Sequence, residues 1–259
     1  MTNIIVETTD SLATVTINRP DQLNCFDFET LVQLESAVEK LQLNRHIRCV
    51  IFTGAGDKAF SAGADLKERK SLNENEVRRN VSKIRRVFTM IEEMPQPTIA
   101  AINGYALGGG FELALACDFR YAVAKAKMGL TEVSWAIIPG AGGTQRLTRL
   151  IGPARAKELI LTARVIEASL AESWGMITKV VSDDSNLLEE TQALSNEIMV
   201  NGPLAVTQAK FAIQQGNNVD IHTGLAIEAK SYEVIIPTED RLEALNAFHE
   251  KRRPRFQGK

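Results

Sequence analysis

Gly104-Tyr105-Ala106-Leu107-Gly108-Gly109-Gly110-Phe111-Glu112-Leu113-Ala114-Leu115-Ala116-Cys117-Asp118 is the stretch on which the reading of the chain turns. It follows Thr98-Ile99-Ala100-Ala101-Ile102, an apolar run of the buried-strand type. Consecutive glycines let the backbone bend sharply and approach a ligand closely. Phe111 and residues 113–116 then predict a short helix buried on nearly every side. A single carboxylate, Glu112, sits in that apolar turn. Burying a lone carboxylate is costly and shifts its pKa. Strand, glycine turn, helix N-terminus and buried acid together place free N–H groups and a positive dipole end beside a proton-transfer group. That pattern fits an oxyanion site. It also fits a tight turn whose glutamate merely caps or pairs.

Working outward, strands and helices alternate. Residues 12–17 alternate with Ala13, Val15 and Ile17 on one face, which predicts a strand. Asp27 is placed as an N-cap, with Phe26 and Leu31 as a hydrophobic staple, for a helix carried by Leu31, Leu34, Val38 and Leu41. Residues 49–53 predict a buried strand and residues 54–67 a loop. Val77, Val81, Ile84, Phe88 and Ile91 mark a long amphipathic helix with a basic outer face, ended by Pro95 and Pro97. Beyond the glycine stretch come a strand at 119–123, helices at 154–161 and 170–174, and a strand at 177–181. From about residue 187 the pattern is all helical, with Thr238 as the last N-cap. The expected organisation is an α/β core over residues 1–195 and a helical region over 196–259.

The 259 residues are 44% hydrophobic and 24% charged, with a formal net charge of -2, so no electrostatic case for nucleic acid arises. Apolar runs fall well short of the roughly 20 residues of a membrane span. The N-terminus lacks the basic and apolar regions of a secretory signal. Cys25, Cys49 and Cys117 are odd in number and far apart, which points to a reducing, cytoplasmic compartment. With only three histidines, no cluster has zinc spacing.

Gly54-Ala55-Gly56-Asp57-Lys58-Ala59 matches a loose dinucleotide pattern, but no amphipathic helix follows to hold a pyrophosphate. The Gly140-Ala141-Gly142-Gly143-Thr144 turn has no P-loop lysine. Ser61 and Ser134 are outside any G-x-S-x-G elbow. A second acid, Glu132, also has apolar neighbours. Two such carboxylates suit the general acid and base work of a hydration; alternatively they are unrelated buried acids paired with arginines such as Arg120 or Arg146.

Five segments, in order, resemble the enoyl-CoA hydratase/isomerase (crotonase) family over essentially the whole chain. They are Asn18-Arg19-Pro20 with Leu23-Asn24; Ala59-Phe60-Ser61-Ala62-Gly63-Ala64-Asp65-Leu66-Lys67; residues 103–118; Ile138-Pro139-Gly140-Ala141-Gly142-Gly143-Thr144-Gln145-Arg146-Leu147; and Glu239-Asp240-Arg241 through Ala247-Phe248 to Lys251-Arg252. The resemblance implies a spiral of β-β-α units with a C-terminal helical region used for assembly into a homotrimer or homohexamer. It implies that the Ala64 and Gly109 N–H groups form an oxyanion hole and that Glu112 and Glu132 are the catalytic pair. Ala62, Ala64, Asp65, Leu66 and Lys67, with Gly108, Gly109, Pro139, Gly140 and Lys251, would bind the acyl-CoA substrate. No metal, flavin or nicotinamide is implied; CoA is part of the substrate.

Retention of both acids favours a hydratase of trans-2-enoyl-CoA in fatty-acid β-oxidation over isomerase or thioesterase relatives. Residues 112–118, 126–130, 136–139 and 156–160 also resemble 3-methylglutaconyl-CoA hydratases of leucine breakdown, a rival substrate assignment. A non-catalytic RNA-binding reading would rest on Arg78, Arg79, Lys83, Arg85 and Arg86; an ordinary solvated helix face is the expected reading of such a charge block. Trp135 and the segment 71–77 are expected to line the far end of the acyl pocket.

Overall fold

The computed structural model describes residues 2–182 and 184–259. They divide into two compact units, one of residues up to 94 with 98–192, the other of residues 95–97 with 193–259. The first unit opens with β1 (Ile4–Thr9) and β2 (Leu12–Ile17), then α1 (Phe28–Leu43). Asp27 caps α1 by accepting from the Thr30 N–H, and Leu31, Leu34, Val38 and Leu41 are its buried stripe. The next repeat is β3 (Cys49–Gly54), β4 (Ala59–Ser61), α2 (Leu66–Ser71) and α3 (Glu74–Glu92). A further one is β5 (Thr98–Ile102), β6 (Tyr105–Leu107) and α4 (Gly109–Ala116). A third is β7 (Phe119–Val123), β8 (Lys127–Gly129), a 3₁₀ turn at Glu132–Trp135, α5 (Gly143–Ile151) and α6 (Pro153–Leu161). The unit continues through β9 (Ile166–Glu167), α7 (Ala168–Ser173) and β10 (Lys179–Val181) into α8 (Leu187–Met199), which runs across the division.

From β3 on, each repeat sends its first strand to one sheet and its second to another, whereas β1 and β2 share the larger sheet. The larger sheet has the order β1-β2-β3-β5-β7-β10, parallel except for the β1–β2 hairpin. The smaller has the order β4-β6-β8-β9, with only β8–β9 antiparallel. This is the β-β-α spiral. Strands β3 and β5, buried on both faces, are continuous apolar runs rather than alternating ones.

The 54–67 segment is not a plain loop. Ala59–Ser61 forms β4, which pairs in parallel with β6, and Leu66 starts α2. A three-residue strand has too little sequence to show a period; its partner defines it. The hairpin strand β1, the short strands β6 and β8, and helix α5 likewise go beyond the sequence expectation. After Gly54 comes β4 rather than a helix, in agreement with rejection of the dinucleotide pattern.

In the second unit follow α9 (Pro203–Gly216), α10 (Ile221–Ile235) and α11 (Glu239–His249). Thr238 caps α11, accepting from the Arg241 N–H. The chain end returns to this helix: Asp240 accepts from the Gln257 and Gly258 N–H groups at 2.7 and 2.8 Å. Large apolar side chains stay exposed here, among them Phe248 at 82% and Ile213 at 71%.

Candidate active site

The site is a cavity of about 1070 Å³ in the first unit, with walls from the 3₁₀ turn, α2, α3, α4 and the residues around β4 and β6. Its centre is the glycine turn. Gly108 has φ +52, a conformation costly for any residue with a Cβ, and turns β6 into α4. Gly109 is then the first residue of α4, where an N–H has no intrahelical acceptor. Facing it is Ala64. Phe26 and Ala64 form an isolated parallel bridge through Phe26 N–H to Gly63 O and Asp65 N–H to Phe26 O. That pairing uses the neighbours of Ala64 and leaves its own N–H pointing away. Neither the Ala64 nor the Gly109 N–H donates within the described residues. Gly63, between the two segments, has φ +90; a Cβ there would stand 2.9 Å from the Gly109 nitrogen and 2.8 Å from Leu107 O.

Glu112, one turn into α4, is 3% exposed. Its Oε1 accepts from the Ala141 and Gly143 N–H groups, both at 2.8 Å. Burial raises its pKa, and those two N–H groups, with Arg146 and Arg85 further away, oppose the rise. Arg146 acts through the backbone. It donates to Ala141 O at 2.7 Å while forming a two-point pair with Glu92 at 3.0 and 2.6 Å, so it braces the loop that holds Glu112.

Glu132 opens the 3₁₀ turn and is 9% exposed, with neither carboxylate oxygen hydrogen-bonded among the described residues. Desolvation, then the charge of Glu112, push its pKa up to about 7. The two acids therefore share one cavity in different states. One is wired to main-chain donors; the other is poised to carry a proton near neutral pH.

Among the described residues, neither acid is ion-paired with an arginine. Arg120 is buried beneath α4, where it donates to the carbonyls of Met176, Ala114 and Cys117 at 2.9, 3.3 and 2.6 Å. The serines are likewise taken. Ser61 Oγ accepts from the Gly63 N–H, and Ser134 Oγ donates to Thr131 O.

Ala62, Ala64, Asp65, Leu66, Lys67, Gly108, Gly109, Glu112, Glu132, Pro139 and Gly140 all line the cavity, as do Trp135, Leu72 and Val77. The Asp65 carboxylate is occupied: it caps α2 and pairs with Arg19 at 3.0 Å. Lys251 lies in the second unit, exposed, in a turn after α11 with φ +53. Its neighbour Arg252 is paired with Glu243 at 2.6 Å. Sequence reasoning did not single out Gly63, Arg146 as a brace on Ala141, or Arg69. Only the positive φ and close approach at Gly63 had a signal to find, a glycine between two small residues.

A two-sheet β-β-α spiral with paired acids under a glycine turn defines a class. The chain belongs to the enoyl-CoA hydratase/isomerase family, whose sequence model matches residues 7–259. It superposes on the crystal structure of an enoyl-CoA hydratase from Bacillus anthracis with a TM-score of 0.97, at 51% identity, covering 99% of this chain and 100% of that one. It is 48% identical to the mitochondrial methylglutaconyl-CoA hydratase of Homo sapiens over 245 residues, 93% of this chain and 72% of that protein. It is 43% identical to the crotonyl-CoA hydratase of Syntrophomonas wolfei over 254 residues, 98% of this chain and 97% of that protein.

Proposed function

We propose that the chain catalyses reversible hydration of trans-2-enoyl-CoA thioesters to 3-hydroxyacyl-CoA. The observation that carries this reading is the unequal pair, Glu112 held by two N–H groups and Glu132 unpaired with its pKa near 7. The thioester oxygen accepts from the Ala64 and Gly109 N–H groups, which serve as the oxyanion hole and polarise the C2–C3 double bond. Water adds its oxygen to C3 as Glu112 takes its proton, and Glu132, entering protonated, gives its proton to C2. Water is added in net terms, and return of one proton from Glu112 to Glu132 resets the pair. The donors act on charge that develops at the thioester oxygen, so they favour the enolate-like state over the bound substrate. No metal or redox cofactor enters these steps; CoA belongs to the substrate.

The apolar rim, with Trp135 and Ile138 at 63% and 72% exposure, suits the acyl and pantetheine portions of such a ligand. The exposed apolar side chains of the second unit support assembly into a homotrimer or homohexamer. Lys67, exposed and lining the cavity, is assigned with residues 62–66 to the adenine and pantetheine of CoA. Fatty-acid β-oxidation in the cytoplasm is the pathway and compartment proposed. The RNA-binding alternative loses support because the basic face is internally engaged. Arg78 pairs with Glu74, Lys83 and Arg86 with Glu35, Arg79 stacks on Phe28, and Arg85 donates to Gly140 O.

Among the described residues, no helix is long and apolar enough to cross a membrane. The test of the function is loss of enoyl-thioester absorbance with crotonyl-CoA. Turnover by the wild-type chain that is abolished in both Glu112→Gln and Glu132→Gln is the expected result. A wild-type chain that isomerises or hydrolyses thioesters without hydrating them would displace the proposal.

A further inference from the structure

The Gly140 carbonyl and the Ala141 N–H are the two ends of one peptide group, and both ends are engaged. Arg85, an exposed residue of α3, donates from Nε to Gly140 O at 3.0 Å. The Ala141 N–H donates to Glu112 Oε1 at 2.8 Å. A peptide group is conjugated, so charge drawn onto its oxygen leaves its N–H a stronger donor. A guanidinium on the oxygen draws charge more strongly than water does. Arginine, peptide and carboxylate thus form a three-part relay into the cavity.

The loop lies close against α3 at this point. Val81 and Arg85 are one helical turn apart and line the cavity together with Gly140. A Cβ on Gly140 would stand 3.3 Å from Val81 Cγ1, so the bare glycine lets the loop approach the helix. Arg146 reaches the following carbonyl, Ala141 O, from α5. The second donor to Glu112, the Gly143 N–H, belongs to the Gly142 peptide, whose carbonyl accepts from the Gln145 and Arg146 N–H groups. Arg85 therefore acts on one of the two donors, that of Ala141.

The other charges around Glu112 have their own partners or places. Arg146 is paired with Glu92, and Glu132 faces Glu112 from the 3₁₀ turn. Arg120 is bonded to carbonyls toward the opposite end of α4. Strands β4 and β5 carry no titratable side chain, and β6 carries the exposed Tyr105. Burial raises the Glu112 pKa, while the Ala141 N–H and, more weakly, the Arg85 charge lower it. We propose that Arg85 is a positioning residue for this reaction, aligning and polarising the Ala141 N–H on which Glu112 depends. The inference rests on the hydratase reading, in which Glu112 works ionised to take the proton of water.

The test uses the full chain, as wild type, Arg85→Met and Arg85→Lys, with crotonyl-CoA. In Arg85→Met, kcat/KM should fall ~3-fold more on the acid limb of its pH profile than at the optimum, the scale of an exposed charged contact. KM should stay near its wild-type value. Arg85→Lys, which keeps a cationic donor, should recover part of the loss. The difference should persist in about 1 M salt, where the Debye length is roughly 3 Å and a distant exposed charge is screened. The infrared carboxyl band of Glu112, assigned by its loss in Glu112→Gln, reads the same effect without turnover. Its protonation midpoint should move to higher pH in Arg85→Met.

An infrared midpoint that stays in place in Arg85→Met overturns the proposal, whether or not the melting temperature falls. So does an effect that disappears in high salt, which would reduce Arg85 to a long-range charge. A raised KM with an unmoved acid limb also overturns it and assigns Arg85 to substrate binding. A midpoint that depends on Arg85, in a chain whose wild type does not hydrate crotonyl-CoA, would uphold the relay and overturn the hydratase reading alone.

Discussion

Removing the Arg146 guanidinium, as in Arg146→Met, should be felt at Glu112 although the two side chains are not bonded. Arg146 spans Glu92 and the carbonyl of Ala141, and the N–H groups of Ala141 and Gly143 are the two donors to Glu112. Without the brace, the 141–143 loop loosens and the donors lose alignment. A hydrogen bond to a charged group contributes about 1.5–3 kcal/mol, and one pKa unit corresponds to about 1.36 kcal/mol. Weakening either donor therefore raises the Glu112 pKa further, since both N–H groups lower it in the intact protein. Loss of the Arg146 charge acts in the same direction, since that charge lowers the pKa in the intact protein. Glu112 is proposed to work ionised, so a raised pKa removes activity from the acid side.

The assay is a pH profile of kcat/KM from enoyl absorbance, in wild type and Arg146→Met. The acid limb should move to higher pH, with kcat at the optimum down ~10-fold from misalignment of the base. The alkaline limb, which reports protonated Glu132, should stay near its wild-type position around pH 7. An acid limb that does not move while kcat falls would refute the brace and leave Arg146 with a purely structural role. A paired substitution, Glu92→Gln, should give a weaker version of the same shift, because it leaves the bond to Ala141 O in place.

Glu112→Gln and Glu132→Gln should each lower kcat by ~10²–10⁴, with melting temperature preserved, since glutamine matches glutamate in shape; near-wild-type hydration in either variant would exclude that residue from proton transfer. In Gly63→Ala, the new Cβ meets Leu107 O and the Gly109 nitrogen at a φ of +90, so kcat should fall with far-UV circular dichroism unchanged, and normal kinetics would show that the two N–H groups are not used together. Exposed Phe248, Ile213 and Ile221 predict an oligomer by sedimentation at micromolar concentration, and a monomer there would remove the proposed role of the second unit.

The parts of the fold legible in the sequence are those with a local signature. Asp27 announces α1 because a side-chain acceptor three residues ahead of an N–H is a local geometry. β3 and β5 are apolar runs long enough to recognise. The glycine turn and its acid were legible because neither a bare backbone nor a buried carboxylate is common in a core. The smaller sheet was not, since β4, β6 and β8 are three residues each and exist through their mutual pairing. The candidate site divides the same way. Glu112 and Glu132 stand out by type and setting, whereas the Arg146 brace joins positions that share no local spacing with Glu92.

The donors proposed at Ala64 and Gly109 are main-chain atoms, and that has a consequence for how this molecule should be mapped by mutation. A scan that trims side chains to alanine passes silently over position 64, which already is alanine, and at position 109 it adds a methyl without deleting the donor. Such a scan would draw the site as two glutamates and an arginine brace, missing the proposed polarising half. The informative replacement is an ester in place of the amide at residues 64 and 109, which removes one N–H and keeps every side chain. Chemical ligation or an α-hydroxy acid introduced at the codon makes that replacement accessible, and its rate deficit measures each donor separately.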